Sequence, residues 1–186
     1  MKSKILFLLC FVFACIFFLR YEFFNKSVTD LDIEFYIPNE LSFEELIEKI
    51  DTISMNLNPL VQKAVPFFIE KKRLAYWFRP GRYILLRGSS FNDVINKLRS
   101  QSQDPVKITF NSMDEISPIF GIAGRSLELD SIDLVDYFNS INFPLDSLYF
   151  YMIPNTYEFF WNVSPDKFFQ RIKLEYRNFW SYDRLD

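Results

Sequence analysis

Between Lys4 and Arg20 the chain runs fifteen residues, Ile5 to Leu19, without a charge, and after Arg20 the apolar character resumes with Tyr21, Phe23 and Phe24. Such a segment is either a membrane anchor or a signal peptide. Length alone does not decide, because the run suits a signal-peptide core whereas a span needs roughly 17 to 25 residues. A cleavage site wants small residues of the A-x-A kind after the core. Here the chain continues as Ile16, Phe17, Phe18, Leu19, Arg20, Tyr21. An uncleaved anchor over residues 1–24 is therefore favoured, with Arg20 snorkelling and the Tyr21, Phe23, Phe24 cluster in the interface to extend the span. Lys2 and Lys4 keep the N-terminus inside, so that everything after about residue 24 folds on the far side. Val12, Phe13, Ala14 and Cys15 resemble a lipoprotein signal, but Phe13 is too large for that pattern and apolar sequence follows Cys15.

Cys10 and Cys15 both lie in the anchor, so the external part forms no internal disulfide and must be held by packing. The chain has 21 basic residues; without Lys2, Lys4 and Arg20 the exterior keeps 18 against 24 acidic ones, a net charge of −6. An acidic exterior is a poor nucleic-acid binder. With no histidine, a Ser-His-Asp triad, a Cys-His pair and a histidine-ligated zinc site are all excluded. The 23 Phe, 10 Tyr and 3 Trp are enough for a real core in one domain or two small ones.

Short elements follow in a regular order. Leu31, Ile33, Phe35 and Ile37 alternate with Asp32, Glu34 and Tyr36, the period of a half-buried strand, and Pro38 ends it. Ser42 with Glu45 forms a capping box, after which Phe43, Leu46, Ile47 and Ile50 fall on one helical face. Asn58 and Pro59 suit the N-cap and first position of a helix running towards Lys72, which Pro66 should kink or interrupt. A strand from Arg82 to Arg87 opens after the Pro80, Gly81 turn. Ser90 with Asp93 caps a further helix carrying Phe91, Val94, Ile95 and Leu98, and Val106, Ile108 and Phe110 alternate as a third strand. The order strand, helix, helix, strand from Leu31 to Leu86 is similar to a LysM-type module, although a ligand-free α+β module has the same order.

Two longer stretches carry a resemblance. One is Arg79-Pro80-Gly81-Arg82-Tyr83-Ile84-Leu85 with Gly88 to Leu98, a G-x-Y, polar turn, then helix pattern; the other is Ile153-Pro154-Asn155-Thr156-Tyr157-Glu158-Phe159 with Ser164-Pro165-Asp166 and a Phe-rich helix. Together they resemble the MltG (YceG-like) family of endolytic murein transglycosylases, whose P-(D/N)-T-Y motif matches at Pro154 to Tyr157. The resemblance implies a mixed α/β (α+β) fold: an N-terminal transmembrane helix over 1–24, a LysM-like βααβ subdomain over 25–104, and the start of a YceG-like catalytic domain over 105–186. It implies cleavage of MurNAc-GlcNAc bonds, with peptidoglycan glycan strands, the inner (plasma) membrane and the cell-wall synthesis machinery as partners, and calls for no cofactor or metal. Asn155, Thr156 and Tyr157 would border the glycan cleft, giving hydrogen bonds to sugar hydroxyls and a ring face for stacking. The same four residues also fit a plain turn between Phe150 and Phe160, with Asn155 bonding its own backbone.

One departure stands against the matches. The family's catalytic glutamate lies in a stretch resembling A-S-I-V-E-x-E downstream of the motif, and no such stretch occurs here. The resemblance thus gives this chain no catalytic residue, and two expectations stay open: a fragment of a longer enzyme, or a membrane-tethered glycan-binding or scaffold protein. Glu158 adjoins the motif, but strand alternation points it away from Tyr157 and Phe159 and towards solvent. Glu44, Glu45 and Glu48 belong to the first turn and polar face of a capped helix. Gly121 to Gly124 has neither the P-loop lysine spacing nor the dinucleotide pattern. Phe168, Phe169, Ile172, Tyr176 and Phe179 follow helical spacing after Ser164, as core or as a face for a further domain. If residues 5 to about 24 remain on the mature protein, N-terminal sequencing of the membrane fraction will read from the first residues, and a start beyond residue 20 would refute the anchor.

Overall fold

The computed structural model describes residues 2–111 and 117–181. The chain forms two compact units, residues 1–102 and 103–186, and is a mixture of helices and small sheets. The first helix, α1 (Lys2–Phe24), has 23 residues. At 1.5 Å per residue it is about 34 Å long, against roughly 30 Å of bilayer hydrocarbon. Residues Ser3–Phe24 are long and apolar enough to cross a membrane.

In the first unit, β1 (Ile33–Ile37), α2 (Phe43–Ser54), α3 (Pro59–Gln62), α4 (Val65–Lys71), α5 (Leu74–Trp77), β2 (Gly81–Leu85) and α6 (Phe91–Arg99) follow in order. Strands β1 and β2 pair antiparallel, with Ile33 opposite Leu85, Phe35 opposite Tyr83 and Ile37 opposite Gly81. That register puts Phe35, Ile37, Tyr83 and Leu85 into the core, where they meet Leu46, Ile50 and Ile53 of α2 and Phe91, Val94, Ile95 and Leu98 of α6. On the other face, the Arg82 guanidinium pairs with the Glu34 carboxylate, which also accepts from the Tyr36 hydroxyl. Arg82 first, and Tyr36 second, hold the Glu34 carboxyl below its ordinary value. Both expected capping boxes are formed, Ser42 with Glu45 on α2 and Ser90 with Asp93 on α6, each satisfying amide donors that a helix start leaves open.

The helix expected from Asn58 towards Lys72 is two pieces, α3 and α4, and α5 follows beyond it. Asn58 caps α3 through its side chain, α4 restarts with Pro66 in its first turn, and Arg73, at φ 53°, breaks the chain again before α5. Pro66 lacks the amide that would continue the ladder, so the break before it is the expected one. The break at Arg73 has no sequence signal. A second departure concerns Leu31, which is 70% exposed instead of buried with its alternation partners. Pairing begins at Ile33, and Asp32 spends its carboxylate on the Arg87 amide at 2.7 Å, so Leu31 lies before the pleat that would turn it inwards.

No linker separates α1 from this core. Phe23 is 5% exposed and stacks on Phe68 at 4.4 Å, with Phe91 at 5.8 Å. Buried Glu22 accepts from the Asn58 amide at 2.9 Å and from Lys26 at 3.1 Å. The following residues are clamped as well: the Val28 amide donates to Ser89, the Gly88 amide to Thr29, and the Thr29 hydroxyl to Leu86. Gly88, at φ +82°, makes the turn that brings this loop back to residue 29.

The second unit contains β3 (Val106–Phe110), α7 (Ser117–Ser126), α8 (Ser131–Ser140), α9 (Leu148–Tyr151), β4 (Asn155–Phe159) and α10 (Pro165–Phe179). Strands β3 and β4 pair antiparallel, Ile108 opposite Tyr157 and Phe110 opposite Asn155. The covered face is aromatic: Phe168 of α10 stacks on Phe159 at 4.8 Å, and Phe169 meets Phe138 of α8 at 5.0 Å. Phe168, Phe169 and Ile172 are core, while Tyr176 and Phe179 are half-buried. Helices α7, α8 and α9 lie in a stretch whose sequence gave no expectation of elements. Replacing Phe35 by Ala is expected to cost about 3–5 kcal/mol in denaturant unfolding, whereas Leu31→Ala should stay within about 0.5 kcal/mol. Equal losses at the two positions would contradict this register.

Candidate functional site

Helix α9 ends at Tyr151, and Pro154 directly precedes β4, which starts at Asn155. Asn155 accepts the Thr156 amide on its own side-chain oxygen at 2.8 Å, the self-bonding expected of an Asn at a strand entry. Thr156 is exposed and shares a hydroxyl-hydroxyl hydrogen bond of 2.8 Å with Thr109 across the ladder. Glu158 is exposed on the same face and pairs with Lys107 at 3.3 Å, where water screens most of the attraction. Its neighbours Tyr157 and Phe159 point the opposite way, into the core, as alternation requires.

Tyr157 departs from its expected role. The ring is 0% exposed, stacks on Phe159 at 6.1 Å and meets Phe110 edge-on at 5.6 Å. Its hydroxyl donates to the Ile153 carbonyl at 2.7 Å. Burial is the leading cause that pushes this phenol above its ordinary value. No ring face is left for a sugar to stack on, so the side chain works as a brace. Tyr83 has the same arrangement: 0% exposed, with its hydroxyl donating to the Arg79 carbonyl at 2.9 Å. The two stretches singled out in the sequence, Arg79-Pro80-Gly81-Arg82-Tyr83 and Ile153-Pro154-Asn155-Thr156-Tyr157, thus share one device. A proline directs the chain into a strand, and a tyrosine two residues further than the next position ties the strand back to the carbonyl before the proline. The phenol satisfies a carbonyl that has no ladder partner there.

Beside this strand lies a cleft of about 250 Å³. Phe110 and Asn111 at the end of β3, Ile119 of α7, and Tyr149, Phe150, Met152, Ile153 and Pro154 line it. Asn155, paired with Phe110 across the ladder, stands at its edge. Tyr149 is 43% exposed and Phe150 70% exposed, with ring centres 5.9 Å apart in an edge-to-face pair. Exposed ring faces next to amide groups suit a ligand that offers C–H surfaces and hydroxyls together, as a sugar does. Tyr149 and Phe150 lie outside the residues that the resemblance marks; the run Leu148-Tyr149-Phe150-Tyr151-Met152 just before the motif is the sequence signal for rings here. Among the described residues lining the cleft there is no carboxyl group. Among the described residues there is likewise no group of acidic, cysteine or histidine side chains fit to hold a metal ion.

The model of the YceG-like family matches residues 35–185. No curated protein and no solved structure matches the chain. The two roles open to Tyr157 separate by experiment. Tyr157→Phe keeps the ring and removes the hydroxyl, so a brace predicts a stability loss of about 0.5–1.5 kcal/mol with ligand binding unchanged. Unchanged stability together with weakened binding would restore the contact role.

Proposed function

The chain belongs to the YceG-like family, and on that premise we propose that it is the anchor and glycan-holding part of a membrane-anchored endolytic murein transglycosylase. In this reading α1 crosses the inner membrane, the first unit is a LysM-like module on the far side, and the second unit holds a peptidoglycan strand along the cleft beside Pro154. The observation that carries it is an aromatic-walled cleft next to the P-N-T-Y strand, in a chain of this family. Tyr149 and Phe150 offer the stacking faces, while Asn111 and, next to the cleft, Asn155 offer amide groups to sugar hydroxyls; Thr156 faces outward beside Thr109.

Chemistry needs one further part. Non-hydrolytic cleavage of the MurNAc-GlcNAc bond uses a carboxyl group that first protonates the leaving oxygen and then accepts a proton from the sugar's own 6-hydroxyl as that oxygen attacks. Such a group must sit in an enclosure that keeps it protonated near neutral pH. Glu158, exposed and paired with Lys107, lacks that enclosure. In this reading the two buried braces and the strand they fix serve to hold substrate, and the family resemblance assigns the acid to an A-S-I-V-E-x-E type of stretch.

Incubating the full 186-residue chain with intact sacculi tests both halves. Mass spectrometry is expected to find no 1,6-anhydro-muropeptides, since general acid catalysis contributes on the order of 10² to 10⁴ in rate. Sedimentation with sacculi should still report binding, weakened roughly fivefold by removing either ring through Tyr149→Ala or Phe150→Ala. Anhydro product that vanishes with Glu158→Gln would assign the acid to Glu158. Absence of both product and binding would refute the glycan-holding reading.

A further inference from the structure

Helices α3 and α4 carry a surface that neither the core nor the cleft explains. Val61, Val65 and Ile69 are buried, at i, i+4 and i+8. Leu60, Lys63, Phe67 and Lys71 are exposed on another side; the helix is interrupted at Lys63 and Ala64, but both keep right-handed backbone, so the four residues stay near one side of the segment. Leu60 is 74% exposed and Phe67 67%. Large apolar side chains alternating with lysines on an open face are costly in water unless something covers them. Charge is also concentrated here: residues 58–79 hold Lys63, Lys71, Lys72, Arg73 and Arg79 against the single acid Glu70, in a chain of net charge −3.

The position of this surface names its occupant. Phe68, next to Phe67, packs against Phe23 at 4.4 Å and Phe24 at 5.8 Å in the last turn of α1. Lys72 lies over the rings of both Phe24 and Phe68, at 5.6 and 5.5 Å, and Arg20 over Phe24 at 5.4 Å. Asn58, two residues before Leu60, donates its amide to Glu22 in the same turn. A helix of about 34 Å that spans roughly 30 Å of hydrocarbon brings Tyr21 to Phe24 out at the headgroup layer. Whatever packs on those residues is held at that depth. We propose that the Leu60, Lys63, Phe67, Lys71 stripe lies on the bilayer surface, with the two apolar side chains entering the headgroup-acyl boundary and the lysines meeting anionic phospholipid headgroups. The mode is that of an interfacial amphipathic helix, made efficient here because α1 already confines it to the membrane. The inference rests on the reading of α1 as an anchor.

The test uses the full chain with Cys10→Ser and Cys15→Ser, reconstituted in lipid nanodiscs and bearing one apolar nitroxide label at a time. Labels at Leu60→Cys and Phe67→Cys report the stripe, Phe13→Cys reports the span, and Glu48→Cys on exposed α2 reports solvent. Collision with oxygen marks lipid, and collision with a water-soluble nickel chelate marks water. Labels 60 and 67 are expected to be open to oxygen and shielded from nickel in discs containing phosphatidylglycerol, opposite to label 48. Lys63→Gln and Lys71→Gln should each lower the docked-to-free ratio about fivefold in those discs. Labels 60 and 67 that match label 48, while label 13 reads lipid, would overturn the surface proposal and leave the anchor standing. Label 13 reading water would overturn the anchor and the proposal together. Shielding of 60 and 67 from both reagents would overturn the lipid surface in favour of a protein contact.

Discussion

A two-stranded antiparallel ladder does not hold itself together in water, and the described residues of this protein form two of them. Each survives only because one face is sealed by side chains from elsewhere. In the first unit that seal comes from α2 and α6, whose apolar stripes lie against Phe35, Ile37, Tyr83 and Leu85. In the second it comes from Phe168, with Phe169 continuing the same core, and the packing is aromatic on aromatic. With no cysteine outside α1, burial is the source of stability. The repeated Pro-x-x-Tyr brace belongs to the same problem: a short strand gives few ladder bonds, and a buried phenol adds one fixed point at each strand entry.

The same economy shapes the junction between α1 and the first unit. Phe23 is at once the penultimate residue of an apolar helix and a member of the unit's core. Glu22 is buried beside it, which would be expensive for an unpaired carboxylate, and is matched by Lys26 and the Asn58 amide. A flexible tether would let the unit drift from the helix end. Here the last turn of α1, the clamp at residues 28–29 and the start of α3 are one packed object, so orientation as well as proximity is set.

Much of this was legible because local chemistry and tertiary role agree. The capping boxes at Ser42 and Ser90, the alternation of β1, the break at Pro66 and the outward turn of Glu158 each follow from a rule that acts within a few residues. What stayed hidden depends on partners far along the chain. Leu31 continues the alternation of β1 but has no ladder opposite it, and alternation cannot report where pairing starts. Arg73 adopts left-handed backbone without the Gly or Asn that would announce it. Helix α7 contains Gly121 and Gly124, poor helix formers. Gly124 is explained by packing: a Cβ there would stand 3.1 Å from the Ser131 amide at the start of α8, so the residue that weakens the local signal permits the close approach.

The candidate site residues show the same division more sharply. A motif read from sequence does not say which of its side chains face a ligand, and the ladder sorts them. Tyr157, which offered the largest contact area, shares its parity with buried Phe159 and is spent on the core. Thr156 and Glu158 take the opposite parity and face water beside Thr109 and Lys107. Asn155 has the inward parity but stands at the strand end, where the core no longer reaches it. The rings left exposed on the cleft are instead Tyr149 and Phe150 of α9. In the proposed reading, the braced strand is the rigid part of the glycan surface and the exposed rings its adaptable part. From Pro154 to Phe159 each side chain is either buried to hold the strand or open to water, whereas a general acid needs the partly enclosed setting between those two.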